Sequence, residues 1–272
     1  MPELPEVETI RRTLEPKLVG RTIRGGAVYH PKLIQGQSEP DFFACIRNRN
    51  ILRITRRGKY LLIHLSGERI IGIHLRMTGQ LAVVPQDEPE APATYLRLQL
   101  DNGTELRFCD QRKFGRIFCS PEDSLPGGLT KLGPEPLDPD FTADELKKRL
   151  ARRHLAIKKA LLNQEILAGM GNIYADEALF TAGIHPERPA DSLSGSELKN
   201  LFHAIRRVLE EGIQNRGTTK RNYRDGDGNP GSNQEHLQVY DREDQACLKC
   251  GTTIIKTFVG GRGTHFCPKC QK

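Results

Sequence analysis

Four cysteines near the end of the chain place the tightest constraint on its fold. Cys247 and Cys250 form one Cys-x2-Cys pair, and after sixteen residues Cys267 and Cys270 form a second. Each pair can direct two sulfurs at one ion, and this spacing is typical of a zinc ribbon. The segment is short and Gly-rich, so metal binding would supply its folding energy. The sequence therefore predicts one structural Zn²⁺ held by four thiolates; the alternative is two disulfides or four free thiols.

The first residues of the chain and its hydrophobicity predict the cellular compartment, and the compartment predicts the state of the other three cysteines. Glu3, Glu6 and Glu8 stand where a secretory signal would be basic and then apolar, and no window approaches the roughly 18 apolar residues of a membrane span. We expect a cytoplasmic protein with no membrane partner. Disulfides are rare in that compartment, so Cys45, Cys109 and Cys119 are expected to be buried apolar side chains.

The hydrophobic period of the rest of the chain changes at a proline-rich stretch. Residues 6–19 have helical spacing, whereas residues 20–120 read as strands, with Asn102-Gly103 as a hairpin turn. Prolines between Pro121 and Pro139 mark a linker, after which capping boxes at Thr142 and Ser194 introduce helices. These patterns predict an α+β protein, with an N-terminal antiparallel β-sandwich or barrel followed by helices and the zinc ribbon.

Charge favours a polyanionic partner, although weakly. Lys and Arg number 41 against 34 Asp and Glu, a net charge of +7. Basic residues cluster where the helices begin: Arg149, Arg152, Arg153, Lys158 and Lys159. Gly169–Asn172 follows, and glycines between helices allow backbone amides to approach a phosphate. The cluster is also compatible with an ordinary solvated face.

Pro2 offers unusual chemistry if Met1 is removed. Its secondary α-amine would have a pKa of about 8, far below that of a lysine side chain, so a usable fraction is unprotonated at neutral pH. Attack of this amine on a sugar C1′ gives an iminium, the electron sink that β-elimination needs, and Glu3 can move the proton. From chemistry alone, a proline at this position is more often just an N-terminal residue without a catalytic role.

A set of short motifs runs along the whole chain. It begins with the first nine residues, Met-Pro-Glu-Leu-Pro-Glu-Val-Glu-Thr. The later motifs are Arg57–Tyr60, His74–Met77, Asp110–Gly115, Gly169–Tyr174, Leu237–Tyr240 and Gly261–Cys267. In these motifs and in their order, over essentially its whole length, the chain resembles the formamidopyrimidine-DNA glycosylase family, which removes oxidised purines.

The resemblance implies a domain organisation. Residues 1–131 would form the N-terminal helix and β-sandwich, residues 132–236 a helical lobe with a helix-two-turns-helix motif, and residues 237–272 a zinc finger. Duplex DNA with oxidised purines or abasic sites would lie in the cleft between the lobes. The enzyme would act as a monomer on nucleoid DNA.

The resemblance also implies catalytic roles. Pro2 would be the nucleophile and Glu3 the acid/base, while Lys59 would bind phosphate and donate a proton for β-elimination. Arg262 would bind phosphate and assist δ-elimination. Further DNA contacts are implied for His74, Arg153, Lys158, Asn172 and Tyr174.

Two groups match the recognition elements of the family. Met77, Arg112 and Phe114 correspond to residues that fill the space left by a flipped base, which suits an apolar chain, a guanidinium and an aromatic ring. Residues 217–236 correspond to the loop that covers the everted base, and there Thr218, Thr219, Arg221 and Tyr223 would recognise the lesion.

The chain departs from the family pattern in two places. Ala93-Thr94-Tyr95 stands where His-x-His is frequent, which puts one DNA contact in doubt. Arg216 stands where glycine is common, so base recognition can differ in detail.

The resemblance predicts a bifunctional DNA glycosylase/AP lyase of base-excision repair, specific for oxidised and ring-opened purines. One alternative is the endonuclease VIII branch, which prefers oxidised pyrimidines; Leu4, Arg112 and Phe114 speak against it. Another is a non-catalytic zinc-ribbon DNA-binding protein.

Overall fold

The computed structural model describes residues 1–151 and 153–272, which form two compact units. Unit 1 comprises residues 1–130 and 215–232, and unit 2 comprises residues 131–214 and 233–272. None of the described helices is both long and apolar enough to cross a membrane.

Unit 1 begins with helix α1, Leu4–Leu18, two residues earlier than the periodicity predicts. The reason lies in its first turn, where the Glu3 backbone N–H donates to Glu6 Oε2 at 2.8 Å and Pro5 needs no backbone partner. Val7, Ile10, Leu14 and Leu18 are buried along one face, as their spacing predicts. Pro16 lies in the last turn without ending the helix before Leu18.

Eight strands form the rest of the framework of unit 1: β1 Thr22–Val28, β2 Arg49–Arg57, β3 Tyr60–Leu65, β4 Arg69–His74, β5 Gly79–Pro85, β6 Thr94–Leu100, β7 Thr104–Asp110 and β8 Arg116–Pro121. All pairings are antiparallel, in the order β5-β7-β6-β1-β2-β3-β4-β8. The β6–β7 connection contains Asn102 and Gly103, the latter with a φ of 78°, so the predicted hairpin is confirmed.

The sheet has two halves that share one core. β1 and β2 pair through only Thr22↔Asn50 and Ile23↔Arg49, which joins β5-β7-β6-β1 to β2-β3-β4-β8. A single hydrophobic cluster contains β3 and β4 residues such as Ile63 and Ile71 together with Leu98 of β6. The antiparallel N-terminal fold predicted from the alternating pattern is therefore confirmed.

Helix α2, Glu39–Ile46, interrupts the region predicted to be entirely β. Its N-cap is Ser38, whose Oγ accepts from the Asp41 backbone N–H at 3.3 Å. Cys45 on α2 forms a disulfide with Cys119 on β8, with the two Cα atoms 6.4 Å apart. The expectation that both are unbonded is wrong, because α2 packs on β8 and brings together cysteines 74 positions apart. Cys109 is free but only half-buried, so its predicted full burial is not found.

A short helix, α3 Gly127–Thr130, ends the first part of unit 1, and four longer helices build unit 2. They are α4 Ala143–Leu150, α5 Ile157–Leu162, α6 Asn172–Ala182 and α7 Gly195–Gln214. The capping box at α7 is present, since Ser194 Oγ accepts from the Glu197 N–H at 3.3 Å and Glu197 Oε2 from the Ser194 N–H at 2.8 Å. At α4 Thr142 caps the helix, while Glu145 pairs with Arg149.

Unit 2 ends in a hairpin of β9, Ile255–Val259, and β10, Arg262–Phe266. Gly260 and Gly261 connect the strands with φ of 58° and 74°, conformations that favour glycine. Phe180 of α6 shares a small apolar cluster with Val239, Cys247, Ile254 and Cys267. The hairpin therefore depends on the helices and on the cysteine cluster for its core.

The compact units differ from the three predicted domains in two places. Residues 215–232, expected to belong to the helical lobe, lie in unit 1, and the cysteine segment belongs to unit 2. Specific contacts explain the first difference: Gly226 N–H donates to Thr13 Oγ1 on α1 at 2.9 Å, and Asp227 Oδ1 lies 2.7 Å from Lys17 Nζ.

Candidate functional site

The start of α1 holds the candidate nucleophile in a buried position. Pro2 and Glu3 are buried, and Glu6 accepts the Glu3 backbone N–H through Oε2. The other oxygen of Glu6, Oε1, accepts the Thr218 backbone N–H at 2.7 Å. One carboxylate therefore connects the N-terminus to the loop expected to cover the base. Sequence reasoning did not assign Glu6 a role, although its place three residues after Glu3 is a capping signal.

Lys59 and His74 lie at the ends of paired strands in unit 1. Lys59 is buried in the turn between β2 and β3, and His74 is the last residue of β4, its ring 4.6 Å from and perpendicular to that of Tyr60. Burial, together with Arg76 and Lys59, lowers the pKa of His74 to about 3. Because the imidazole is neutral and Nδ1 accepts the Arg76 backbone N–H at 3.1 Å, Nε2 carries the proton. That N–H can donate to a phosphate oxygen.

The predicted void-filling residues stand on two turns of unit 1. Met77 and Phe114 are 41% and 46% exposed, so neither side chain is enclosed in the core. The Arg112 guanidinium lies 4.8 Å from the centre of the Phe114 ring, within the range of a cation–π contact. Ordinary core packing is therefore excluded for Met77 and Phe114, since both side chains are available to a ligand.

Asp110 organises these turns and was missed by sequence reasoning. It is buried, its Oδ2 accepts the Gly115 N–H at 2.7 Å, and its Oδ1 accepts the Arg112 N–H at 3.2 Å. Thr78, next to Met77, hydrogen-bonds the same carboxylate and accepts the Arg112 N–H at 3.1 Å. The available signal was an acidic residue opening the turn and a glycine closing it five positions later.

The loop of residues 217–232 belongs to unit 1, and several of its own backbone N–H groups donate to side chains within the loop. Thr219 Oγ1 accepts the Gly231 N–H at 2.9 Å, and Asp225 Oδ1 accepts the Asp227 and Asn229 N–H groups at 2.9 and 3.0 Å. Tyr223 is buried in the unit 1 core, and its hydroxyl donates to the Arg216 carbonyl at 3.0 Å. Burial raises the pKa of Tyr223 far above its ordinary value, so it stays neutral. Tyr223 is thus an anchor rather than a lesion contact, whereas Arg221 is exposed.

In unit 2, Arg262 is exposed at the start of β10, at the tip of the hairpin. Asn172 begins α6 and is half-buried; its Nδ2 donates to the Gly263 carbonyl at 2.8 Å, and its buried Oδ1 accepts no hydrogen bond from the residues that the structure describes. Arg153 is exposed, with Nε 3.2 Å from the Arg149 carbonyl. Arg152 of the predicted basic cluster lies outside the described residues.

Two expected DNA contacts of unit 2 are corrected. The Lys158 side chain is fully buried, with Nζ 2.6 Å from Asp176 Oδ1, so its charge is directed into the protein. The Tyr174 ring is buried against Gly212 of α7, where any added Cβ would lie 2.5 Å from the ring. Neither side chain is available to a phosphate as it lies in this structure. Lys158 and Tyr174 lie in or near sequence motifs of DNA-binding residues, and a motif alone does not show whether a side chain is buried.

The four C-terminal cysteines form a cluster with the geometry of a metal site. All four sulfurs lie within 4.8 Å of one another, with Cys247–Cys270 at 3.9 Å and Cys250–Cys267 at 3.5 Å. Sulfurs in a tetrahedron about 2.3 Å from a zinc ion are about 3.8 Å apart. The residues therefore fit one structural Zn²⁺, with no ligand position left for water.

A buried proline at the start of a helix, an exposed guanidinium–aromatic pair and a four-thiolate finger are features that suit a DNA glycosylase acting on a nucleotide flipped out of the duplex. Family models agree with this class. Residues 1–117 match the formamidopyrimidine-DNA glycosylase N-terminal domain, residues 132–223 its H2TH domain, and residues 244–272 the zinc finger found in FPG and IleRS.

Individual relatives and structures are similar over the full length. A formamidopyrimidine-DNA glycosylase of Pelotomaculum thermopropionicum is 51% identical, over 100% of this chain and 99% of the relative. One from Herpetosiphon aurantiacus is 49% identical over 100% of both chains. A Lactococcus lactis FPG variant in complex with Fapy-dG DNA superposes with a TM-score of 0.94 at 37% identity, covering 100% of each chain. The Thermus thermophilus protein gives 0.90 at 42% identity, covering 99% of this chain and 98% of that one.

The chain belongs to the formamidopyrimidine-DNA glycosylase family. It is a DNA-binding enzyme of base-excision repair, a glycosylase with AP lyase activity and one structural zinc.

Proposed function

We propose that this enzyme removes oxidised and ring-opened purines from duplex DNA and then cleaves the strand by β,δ-elimination through an adduct at Pro2. The observation that carries the proposal is the buried Pro2–Glu3 pair, connected through Glu6 to the loop backbone at Thr218. The solved relatives include complexes with DNA that contains Fapy-dG or an abasic site. The reaction requires prior removal of Met1.

In the proposed reaction, Pro2 forms the covalent bond to the sugar and Glu3 transfers the proton. The Pro2 nitrogen bonds to C1′ while the glycosidic bond breaks, and the base leaves with a proton that Glu3 supplies directly or through the sugar. The sugar ring then opens: the C1′–O4′ bond breaks, O4′ takes a proton, and the nitrogen lone pair forms an iminium with C1′. This iminium acidifies the C2′ proton. Loss of that proton expels the 3′ phosphate, and a second elimination expels the 5′ phosphate.

Positive groups assist the departure of the two phosphates. Lys59 supports the first elimination, and Arg262 binds a phosphate and promotes the second. The neutral His74, with its proton on Nε2, donates to the DNA backbone. Asn172 and the exposed Arg153 are further candidate phosphate ligands.

Lesion choice follows from the two recognition elements. Met77, Arg112 and Phe114 fill the gap left by the everted base, and the loop containing Thr218, Thr219 and Arg221 covers that base. We expect 8-oxoguanine and formamidopyrimidines opposite cytosine to be the preferred substrates, and the enzyme to act as a cytoplasmic monomer on nucleoid DNA.

Borohydride trapping tests the nucleophile. Reduction during reaction with abasic-site DNA should yield a stable covalent complex, and peptide mapping should locate the adduct at Pro2. Glu3→Gln should impair base excision more strongly than cleavage of a preformed abasic site, because only excision needs leaving-group protonation. An adduct mapped to any lysine would refute the assignment, and retained Met1 in an active preparation would do so as well.

A further inference from the structure

A fully buried ion pair lies beneath strand β10 of unit 2. Lys158 comes from α5 and Asp176 from α6, both side chains are 0% exposed, and Nζ lies 2.6 Å from Oδ1. Removing two charges from water is costly unless further polar contacts compensate both. The residues that make these polar contacts therefore indicate the structural role of the ion pair.

The further contacts of the pair are concentrated on one stretch of β10. Lys158 Nζ donates to the Gly263 carbonyl at 2.9 Å and to Thr264 Oγ1 at 2.8 Å. Asp176 Oδ2 accepts the His265 backbone N–H at 2.9 Å. Three successive residues of β10 thus contact Lys158 and Asp176, and the Gly263 carbonyl also accepts from Asn172 Nδ2 at 2.8 Å.

Arg262 is the next residue toward the hairpin tip. Its carbonyl accepts from Thr264 Oγ1 at 3.0 Å, so the hydroxyl that Lys158 binds also holds the Arg262 backbone. An isolated two-stranded hairpin is marginally stable. The direction in which the exposed Arg262 side chain leaves the hairpin is consequently set by this attachment.

We propose that Lys158 and Asp176 are positioning residues for Arg262, which act through the backbone of β10 and do not contact DNA. The inference rests on the proposed role of Arg262 in the second elimination. A displacement of about 1 Å in a catalytic group can reduce a rate roughly a hundredfold. Loss of the pair should therefore reduce the second elimination and leave adduct formation at Pro2 unchanged.

The test replaces both charges at once, because removal of one would leave the other buried and uncompensated. Lys158→Met/Asp176→Leu is incubated with abasic-site DNA, and the fraction of product that has lost both phosphates is measured beside the trapped Pro2 adduct. We expect that fraction to fall at least tenfold with normal trapping and one zinc per chain. Lys148→Met, which removes an exposed lysine of α4, is the control.

A double-mutant cycle separates this inference from the proposed function. If the pair acts through Arg262, the Lys158→Met/Asp176→Leu changes produce no further loss in a chain that already carries Arg262→Ala. Additive losses, or a normal product distribution in the double variant while Arg262→Ala is defective, would overturn the inference alone. A normal distribution in Arg262→Ala would instead refute the role of Arg262.

Two more measurements keep the inference testable. Thr264→Val removes the hydroxyl that connects Lys158 to the Arg262 carbonyl. It therefore tests this connection even if the double variant fails to bind zinc. We expect it to lower the fraction of product that has lost both phosphates, as the double variant does. If Lys158 instead bound a phosphate, the double variant would show a shallower salt dependence of DNA affinity, by about one counterion. An unchanged slope is expected, and a slope reduced in that way would overturn the inference.

Discussion

Glu6 and Asp110 show how single buried carboxylates place the recognition groups of unit 1. Glu6 receives the backbone N–H groups of Glu3 and Thr218, and Asp110 receives those of Arg112 and Gly115. Charge-assisted hydrogen bonds of this kind are stronger than neutral ones. The candidate nucleophile and the candidate DNA contacts are thus held in place by two buried carboxylates.

Arg112 leads to a prediction about the partner base. A guanidinium carries only donors, and cytosine presents the acceptors O2 and N3, whereas the matching edge of adenine presents the donor N6. A well-placed contact is worth about 1–3 kcal/mol, so excision of 8-oxoguanine opposite cytosine should exceed that opposite adenine by roughly tenfold to a hundredfold.

Single-turnover excision rates on the two duplexes measure this discrimination. Arg112→Ala should lose it, while the control Lys113→Ala, at the neighbouring exposed cation, should keep it. Equal rates in the wild type, or full discrimination in Arg112→Ala, would exclude this reading of the orphaned base.

At the level of elements, the loop of residues 217–232 is held by an ionic brace, which we define as the ion pairs of Arg216 with Asp225 and Asp227. A glycine at position 216 could not form these ion pairs. Arg216 Nε lies 3.2 Å from Asp225 Oδ2, and Nη2 lies 3.5 Å from Asp227 Oδ2. Asp227 also meets Lys17 of α1. The pKa of Asp227 is lowered, first by its hydrogen bond to Lys17 and then by Arg216, in keeping with this arrangement.

Removal of the brace should loosen the loop without affecting the lyase step. Arg216→Gln keeps the methylene groups at Cβ and Cγ and a polar end group at a residue whose φ is 58°, and it removes the charge. Exposed ion pairs contribute up to about 1 kcal/mol, so kcat/KM for excision should fall about two- to fivefold. Cleavage of a preformed abasic site should stay normal, because no base needs to be covered.

Hydrogen–deuterium exchange reports on the same change directly. Amides of residues 217–232 should exchange faster in Arg216→Gln and not in Arg207→Gln, which removes an exposed pair with Glu211 in α7. An unaltered exchange pattern together with unaltered excision would show that the brace has no part in loop order.

At the level of the whole molecule, metal binding and the β-sheet framework belong to different compact units. The zinc cluster lies in unit 2, where Cys247 and Cys267 form part of a small core, whereas unit 1 has its own large hydrophobic cluster and the Cys45–Cys119 disulfide. A finger this small folds mainly through its metal. We therefore expect separate responses to chelation.

A chelator strong enough to strip the zinc should abolish DNA binding and leave the thermal transition of unit 1 in place. Cys247→Ser should reproduce the loss, and Cys109→Ser, at a free cysteine of unit 1, should not. Binding and metal content are measured together, before and after Zn²⁺ is restored. Full binding by zinc-free protein, or loss of the unit 1 transition on chelation, would contradict the prediction.

Patterns that are local in the chain were sufficient to predict much of the molecule. The α1 face, the β6–β7 hairpin, the α7 capping box and the cysteine ligands are defined by residues a few positions apart, so spacing alone identifies them. The family motifs indicated the enzyme class for the same reason. Each motif is a short run whose residue types are set by backbone geometry or by chemistry.

Other features of the molecule depend on residues that are far apart in the sequence, and only the tertiary structure shows them. The Cys45–Cys119 bond, the burial of Lys158 against Asp176 and the attachment of Glu6 to Thr218 each join different elements. Burial depends on which faces pack together, and a one-dimensional pattern does not contain that information. For this reason, Lys158 and Tyr223 look like ligand-binding residues in the sequence, although in the fold they are anchors enclosed by protein atoms.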